Sequence, residues 1–141
     1  MEKMIRTRKD QLQKRGVKGF TLMEMLIVIA IIAVLVAIAI PIFTAQLNKA
    51  KVSADAANIR SGYAEVSATI LSDGTSSGTY YLASDGTVTT SPTDDFKAFK
   101  TQGEATNQNV AGQSLTWKAD ETVSYTVSAS KVTINVPAAT A

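Results

Sequence analysis

The 141-residue chain has no cysteine and no histidine. No disulfide can form, and thiolate or imidazole ligation of a metal is excluded. Cysteine nucleophiles and histidine general bases are excluded with them. No Gly-x-x-x-x-Gly-Lys loop is present to cradle a phosphate. No cofactor and no enzymatic activity are expected. Prolines number three and tryptophan one, no Asn-x-Ser/Thr sequon occurs, and no internal repeat is visible. A domain this small without disulfides must be held by its core and by packing against neighbours.

What is present is distributed unevenly. Before Phe20 lie seven basic residues (Lys3, Arg6, Arg8, Lys9, Lys14, Arg15, Lys18) and two acidic ones, a net +5. The remaining seven basic and ten acidic residues give −3. A basic start directly before an apolar run reads as a cytoplasmic flank. Direct nucleic-acid binding is the competing reading. It is not expected, because the apolar segment follows at once and the rest of the chain is acidic.

Residues 1–19 form a short hydrophilic leader. Residues 20–43 form the apolar segment, and from Met25 to Ile40 no side chain is polar. The segment is long enough to cross a hydrocarbon core of roughly 30 Å. In lipid a backbone must satisfy its own hydrogen bonds, so helix is expected despite many β-branched residues. Pro41 lacks an N–H for the carbonyl of Ala37, which predicts a kink. Residues 44–71 continue as an amphipathic helix. Ile42, Ala45, Lys49, Val52, Ala56, Ile59, Tyr63, Val66 and Ile70 recur at spacings of three and four, with Asp55 and other polar residues between them. Ser72-Asp73-Gly74 supplies the stop.

Residues 72–141 read as a β-rich head, making the chain α+β: a long N-terminal helix packed on a small antiparallel sheet. Thr79–Leu82 and Thr87–Thr89 flank Ser84-Asp85-Gly86 as a hairpin. Ser91-Pro92-Thr93-Asp94 resembles a helix start, with Phe96 and Phe99 facing inward and Gly103 as the stop. Residues 104–113 are expected to be a polar loop. Leu115 and Trp117 begin a strand, with Trp117 as core rather than a ligand-stacking residue. Val123, Tyr125 and Val127 alternate, as do Val132, Ile134 and Val136, with a turn near Ala129-Ser130. The pairs Asp94-Asp95 and Asp120-Glu121 are read as solvated turn residues rather than cation ligands. The hydroxyl-rich stretches Thr75–Thr79 and Thr87–Thr93 are read as loop and strand surface rather than glycan acceptors.

Three readings compete for residues 1–43: a secretory signal peptide cut after Ala39, an uncut anchor, and a prepilin signal. Glu24 bears on the choice. A carboxylate in the middle of a membrane span costs about 2.5–3.5 kcal/mol, less near the interface, and neither of the first two readings has a use for it. The run Lys18-Gly19-Phe20-Thr21-Leu22-Met23-Glu24, followed by about twenty apolar residues, resembles the signal of type IV pilins, pseudopilins and competence pilins. The likeness covers about residues 14–70. Many members carry glycine at the position of Ala33, eight residues before the proline, and alanine favours helix there by about 0.8–1.0 kcal/mol.

The resemblance implies cleavage between Gly19 and Phe20 by a membrane-embedded prepilin peptidase, which also N-methylates Phe20. It implies that Glu24 pairs with the new amine of a neighbouring subunit during assembly, and it matches Pro41 to a frequent kink proline. The implied partners are other copies of the chain, the peptidase, an assembly platform with a cytoplasmic ATPase, and lipid before assembly. The implied product is a pilus filament; the alternative is a pseudopilin of a type II secretion or DNA-uptake machine. Before assembly the leader would be cytoplasmic and the head extracytoplasmic; afterwards the subunit would lie in an extracellular filament.

Overall fold

A computed structural model of the chain describes the backbone of residues 2–138 and the side chains of residues 21–138. In chain order the elements are α1 (Glu2–Asp73), β1 (Ser77–Leu82), β2 (Val88–Thr89), β3 (Ala105–Val110), β4 (Gln113–Trp117), β5 (Ser124–Ser128) and β6 (Lys131–Asn135). They divide into two compact units, Met1–Thr44 and Ala45–Ala141.

The first unit is helical throughout its described residues. The helix runs through Pro41 without a break in assignment. The proline therefore removes one hydrogen bond without ending the element. Three residues on, the Thr44 hydroxyl donates back to the carbonyls of Ile40 and Pro41 at 3.2 and 3.0 Å. Hydrogen bonding confined to the helix itself is what a span in lipid requires.

In the second unit the C-terminal part of α1 lies against a four-stranded antiparallel sheet of order β2-β1-β5-β6, beside a separate hairpin β3-β4. The helix face is set by its 3.6-residue period. Ala56, Ile59, Val66 and Ile70 are buried, and Val52 and Tyr63 pack at the margin. Ile42, Ala45 and Lys49, expected on the same stripe, are exposed. The sheet answers with the period of two. Tyr80, Tyr125 and Ile134 sit side by side across β1, β5 and β6, as do Val127 and Val132 across the last two, and all five are buried. Tyr125 spans the layers, its hydroxyl donating to the Ile59 carbonyl at 2.7 Å. Gly62 makes room for that ring: a Cβ there would lie 2.8 Å from Tyr125 Cζ and 2.9 Å from Leu82 Cδ1. The helix ends at Gly74, whose φ of 66° lets its N–H reach the Ile70 carbonyl at 3.0 Å.

Two expectations are corrected. Residues 91–103 form no helix. The backbone there is taken by strand-like pairing: Ser84 N–H donates to Lys97 O, Phe99 N–H to Leu82 O, and Thr101 N–H to Glu121 O. The Ser-Pro start contributes only a tight turn, from Phe96 N–H to Thr93 O. Phe96 and Phe99 are half-buried, and Gly103 presses against the helix, where a Cβ would be 2.9 Å from the Val52 nitrogen. Residues 104–113 are not a loop either. β3 pairs with β4 across a turn in which Ala111 and Gly112 both have positive φ, as a two-residue hairpin demands. The same geometry at Ala129 and Ser130 joins β5 to β6.

Candidate functional site

The large apolar side chains from Leu22 to Phe43 are between 46% and 66% exposed. From Thr21 onward α1 is long and apolar enough to cross a membrane, and its most apolar stretch is not buried within the protein. An unburied surface of this extent demands lipid or a partner. Glu24 stands within it, flanked by Met23 and Met25 at 62% and 57% exposure, and among the described residues it forms no ion pair. Gly19 and Phe20 lie outside the residues whose side chains are described. Phe20 precedes Glu24 by four residues on the helical backbone, close to one turn of 3.6 residues.

The remaining residues weighed in the sequence fall to structural duties. Trp117 is core, and its indole Nε1–H donates to the Asp55 carboxylate at 3.3 Å. Asp94 and Asp95 are exposed. Asp120 pairs with Lys100 at 3.0 Å, and Glu121 accepts from the Lys118 N–H at 3.0 Å. Asp85 closes the β1–β2 turn by accepting from the Thr87 hydroxyl and N–H. Those two bonds, the hydroxyl's first, hold its carboxyl below the ordinary aspartate value. The run Gly74 to Gly78 has the spacing Gly-x-Ser-x-Gly. It leaves a helix and enters a strand, the reverse of a nucleophile elbow, and the chain has no histidine.

Asp55 was not legible as a buried residue. It is 1% exposed. Its carboxylate accepts from the Gln102 N–H at 3.0 and 2.9 Å and from the Gly103 N–H at 2.8 Å. About two turns earlier, Asn48 takes the next residue: it donates to the Glu104 carbonyl and accepts from the Glu104 N–H at 3.1 and 3.0 Å. Together they pin residues 102–104 to the helix. A signal existed in the spacing, because Asp55 is three residues after Val52 and four before Ile59, at the edge of the apolar stripe.

Comparison with known proteins adds to this geometry. The family described as "Prokaryotic N-terminal methylation motif" matches residues 14–40. The type IV narrow pilus major component PilA5 of Thermus thermophilus is 60% identical over 50 residues, 33% of this chain. The match spans 43% of that relative's length. No solved structure matches. The likeness to the methylation-motif family and to this pilus component thus lies in part of the chain, the N-terminal motif at residues 14–40 and a 50-residue match to the relative.

Proposed function

We propose that the chain is a prepilin: a membrane-anchored precursor that is cut between Gly19 and Phe20, N-methylated on Phe20, and polymerised into a filament through its N-terminal helix. The observation that carries this reading is the exposed apolar helix from Leu22 to Phe43 with one carboxylate, Glu24, near its start. Cleavage removes a +5 leader and creates an amine four residues before Glu24. In a low-dielectric surrounding an unpaired carboxylate is costly. Glu24 of one subunit pairing with the Phe20 amine of the next would therefore select the correct stagger as well as add attraction. Leaving lipid exposes the apolar face, and a bundle of identical helices covers it in a helical, non-closing assembly. The prepilin peptidase is the processing partner. No phosphate-binding loop occurs in the sequence, so work for extraction falls to an assembly platform and its cytoplasmic ATPase. The leader faces the cytoplasm and the head the outside. Pro41 is the site of the kink that lets the helix bend in the bundle.

N-terminal mass spectrometry of the protein purified from cells tests the reading. It should find N-methylated Phe20, and a bulky replacement of Gly19 should leave uncut precursor in the membrane. A terminus at Ile40 would instead support secretory cleavage after Ala39 and overturn it. The name of the Thermus thermophilus relative, a narrow pilus major component, favours a pilus over a secretion or DNA-uptake pseudopilus.

A further inference from the structure

The backbone is helical from Glu2 to Asp73, with no break between Gly16 and Phe20. The bond proposed for cleavage, Gly19–Phe20, therefore lies inside a helix. In an α-helix each N–H donates to the carbonyl four residues back. That pattern pairs the Phe20 N–H with the Gly16 carbonyl, and the Met23 N–H with the Gly19 carbonyl. Hydrolysis adds water to the Gly19 carbonyl carbon and breaks the C–N bond, leaving a carboxylate on Gly19 and an amine on Phe20. Both groups of that peptide unit must change hydrogen-bond partners on the way, so the helix has to open there first. The glycines are placed for this. Gly16 and Gly19 stand within four residues, and the next glycine along the chain is Gly62. Glycine weakens a helix interior more than any residue except proline. The weak stretch lies on the leader side, among Lys14, Arg15 and Lys18, where freed backbone groups can turn to water. From Leu22 onward, opening would expose them to lipid.

We propose that Gly16 is a positioning residue for processing: it keeps the helix around the Gly19–Phe20 bond easy to open, so that the peptidase receives that bond unwound. The proposal rests on the cleavage reading above and adds to it a second glycine, three residues before Gly19. An enzyme that accepts only the opened form meets an apparent affinity reduced by the fraction of chains that are open. Whatever stabilises the helix at residue 16 therefore slows cleavage in proportion.

The test is the rate at which the peptidase cuts the full chain in detergent micelles. Gly16→Ala should slow it about four- to fivefold, the factor equivalent to glycine's helix deficit of about 0.8–1.0 kcal/mol. Gly16→Asn should slow it only about twofold, because asparagine is nearly as poor a helix former as glycine. A direct contact between residue 16 and the enzyme predicts the opposite order, since asparagine is the larger side chain. Amide hydrogen exchange at Phe20, measured without the peptidase, should slow by the same factors. Gly16→Ala cut as fast as the parent would overturn the proposal and leave the cleavage reading standing. So would Gly16→Asn cut more slowly than Gly16→Ala, or exchange at Phe20 that Gly16→Ala does not change. A parent chain cut at a bond other than Gly19–Phe20 would overturn the cleavage reading and this proposal together.

Discussion

Replacing Asp55 tests whether the helix holds the head by polar clamping or by apolar packing alone. Asp55→Ala removes the acceptor of three donors. Gly103 and Trp117 are buried, so the Gly103 N–H and the Trp117 Nε1–H are left without water, while Gln102 is exposed and its N–H can be partly rehydrated. An orphaned buried donor costs about 1–3 kcal/mol, so the two buried donors left here cost about 2–6 kcal/mol together. The expected loss for Asp55→Ala is therefore about 2–6 kcal/mol, against about 5–15 kcal/mol for a whole domain. For a domain near 100 residues that lowers Tm by at least about 8 °C. Asp55→Asn keeps the shape and one acceptor oxygen but turns an amide donor toward backbone donors, and should lose about 1–3 kcal/mol. The assay is thermal unfolding of the full chain in detergent, read by the fluorescence of Trp117, the single tryptophan, which touches Asp55 directly. A loss below about 1 kcal/mol in Asp55→Ala would refute the clamp, because released desolvation of the carboxylate would then match everything it holds.

Gly62→Ala should destabilise the head by about 1–2 kcal/mol in the same assay, because the clash with the Tyr125 ring and Leu82 outweighs a helix-propensity gain of about 1 kcal/mol; Tyr125→Phe should relieve part of that loss. Burial first, and Glu65 second, raise the Tyr125 phenol well above its ordinary value of 10. The neutral form is the folded one, so stability is full below pH 10 and falls as pH rises beyond it; ultraviolet titration should show one tyrosine ionising only on unfolding. Glu24→Val should leave processing and head unfolding unchanged while pili seen by electron microscopy are lost and cut subunit accumulates in the membrane, and Glu24→Asp should recover assembly in part; normal pilus numbers from Glu24→Val would sink the pairing mechanism.

How far the fold could be read from the chain depended on where each segment's hydrogen bonds go. The apolar half of α1 satisfies its backbone locally, so hydropathy and length sufficed. The amphipathic half showed its face through the spacing of Ala56, Ile59, Val66 and Ile70, and β5 and β6 through strict alternation. Residues 91–103 misled because Ser91, Pro92 and Asp94 carry a local helix-start pattern, while Leu82, Lys97 and Glu121 impose pairing from a distance. Tertiary pairing overrode a preference worth only about 1 kcal/mol. β3 was missed because Thr106, Asn107, Gln108 and Asn109 offer no alternation of apolar and polar residues, and the buried ends Ala105 and Val110 are too far apart to suggest it.

The residues proposed for processing and assembly could be named from the sequence for a different reason. Gly19, Phe20, Glu24 and the apolar run lie in one linear stretch, so the cleavage and pairing proposed for them need no tertiary folding to be assembled. Lipid imposes one uniform demand on that stretch, and a carboxylate that violates it is conspicuous in the sequence itself. Asp55 obeys no such rule. On a helix that already alternates polar and apolar residues, a carboxylate beside the buried stripe looks solvated until another segment supplies its donors. The same helix therefore carries two carboxylates that sequence reasoning treats oppositely. Glu24 stood out because its surroundings are apolar and exposed. Asp55 was hidden because its partners, Gln102, Gly103 and Trp117, come from 47 to 62 residues away.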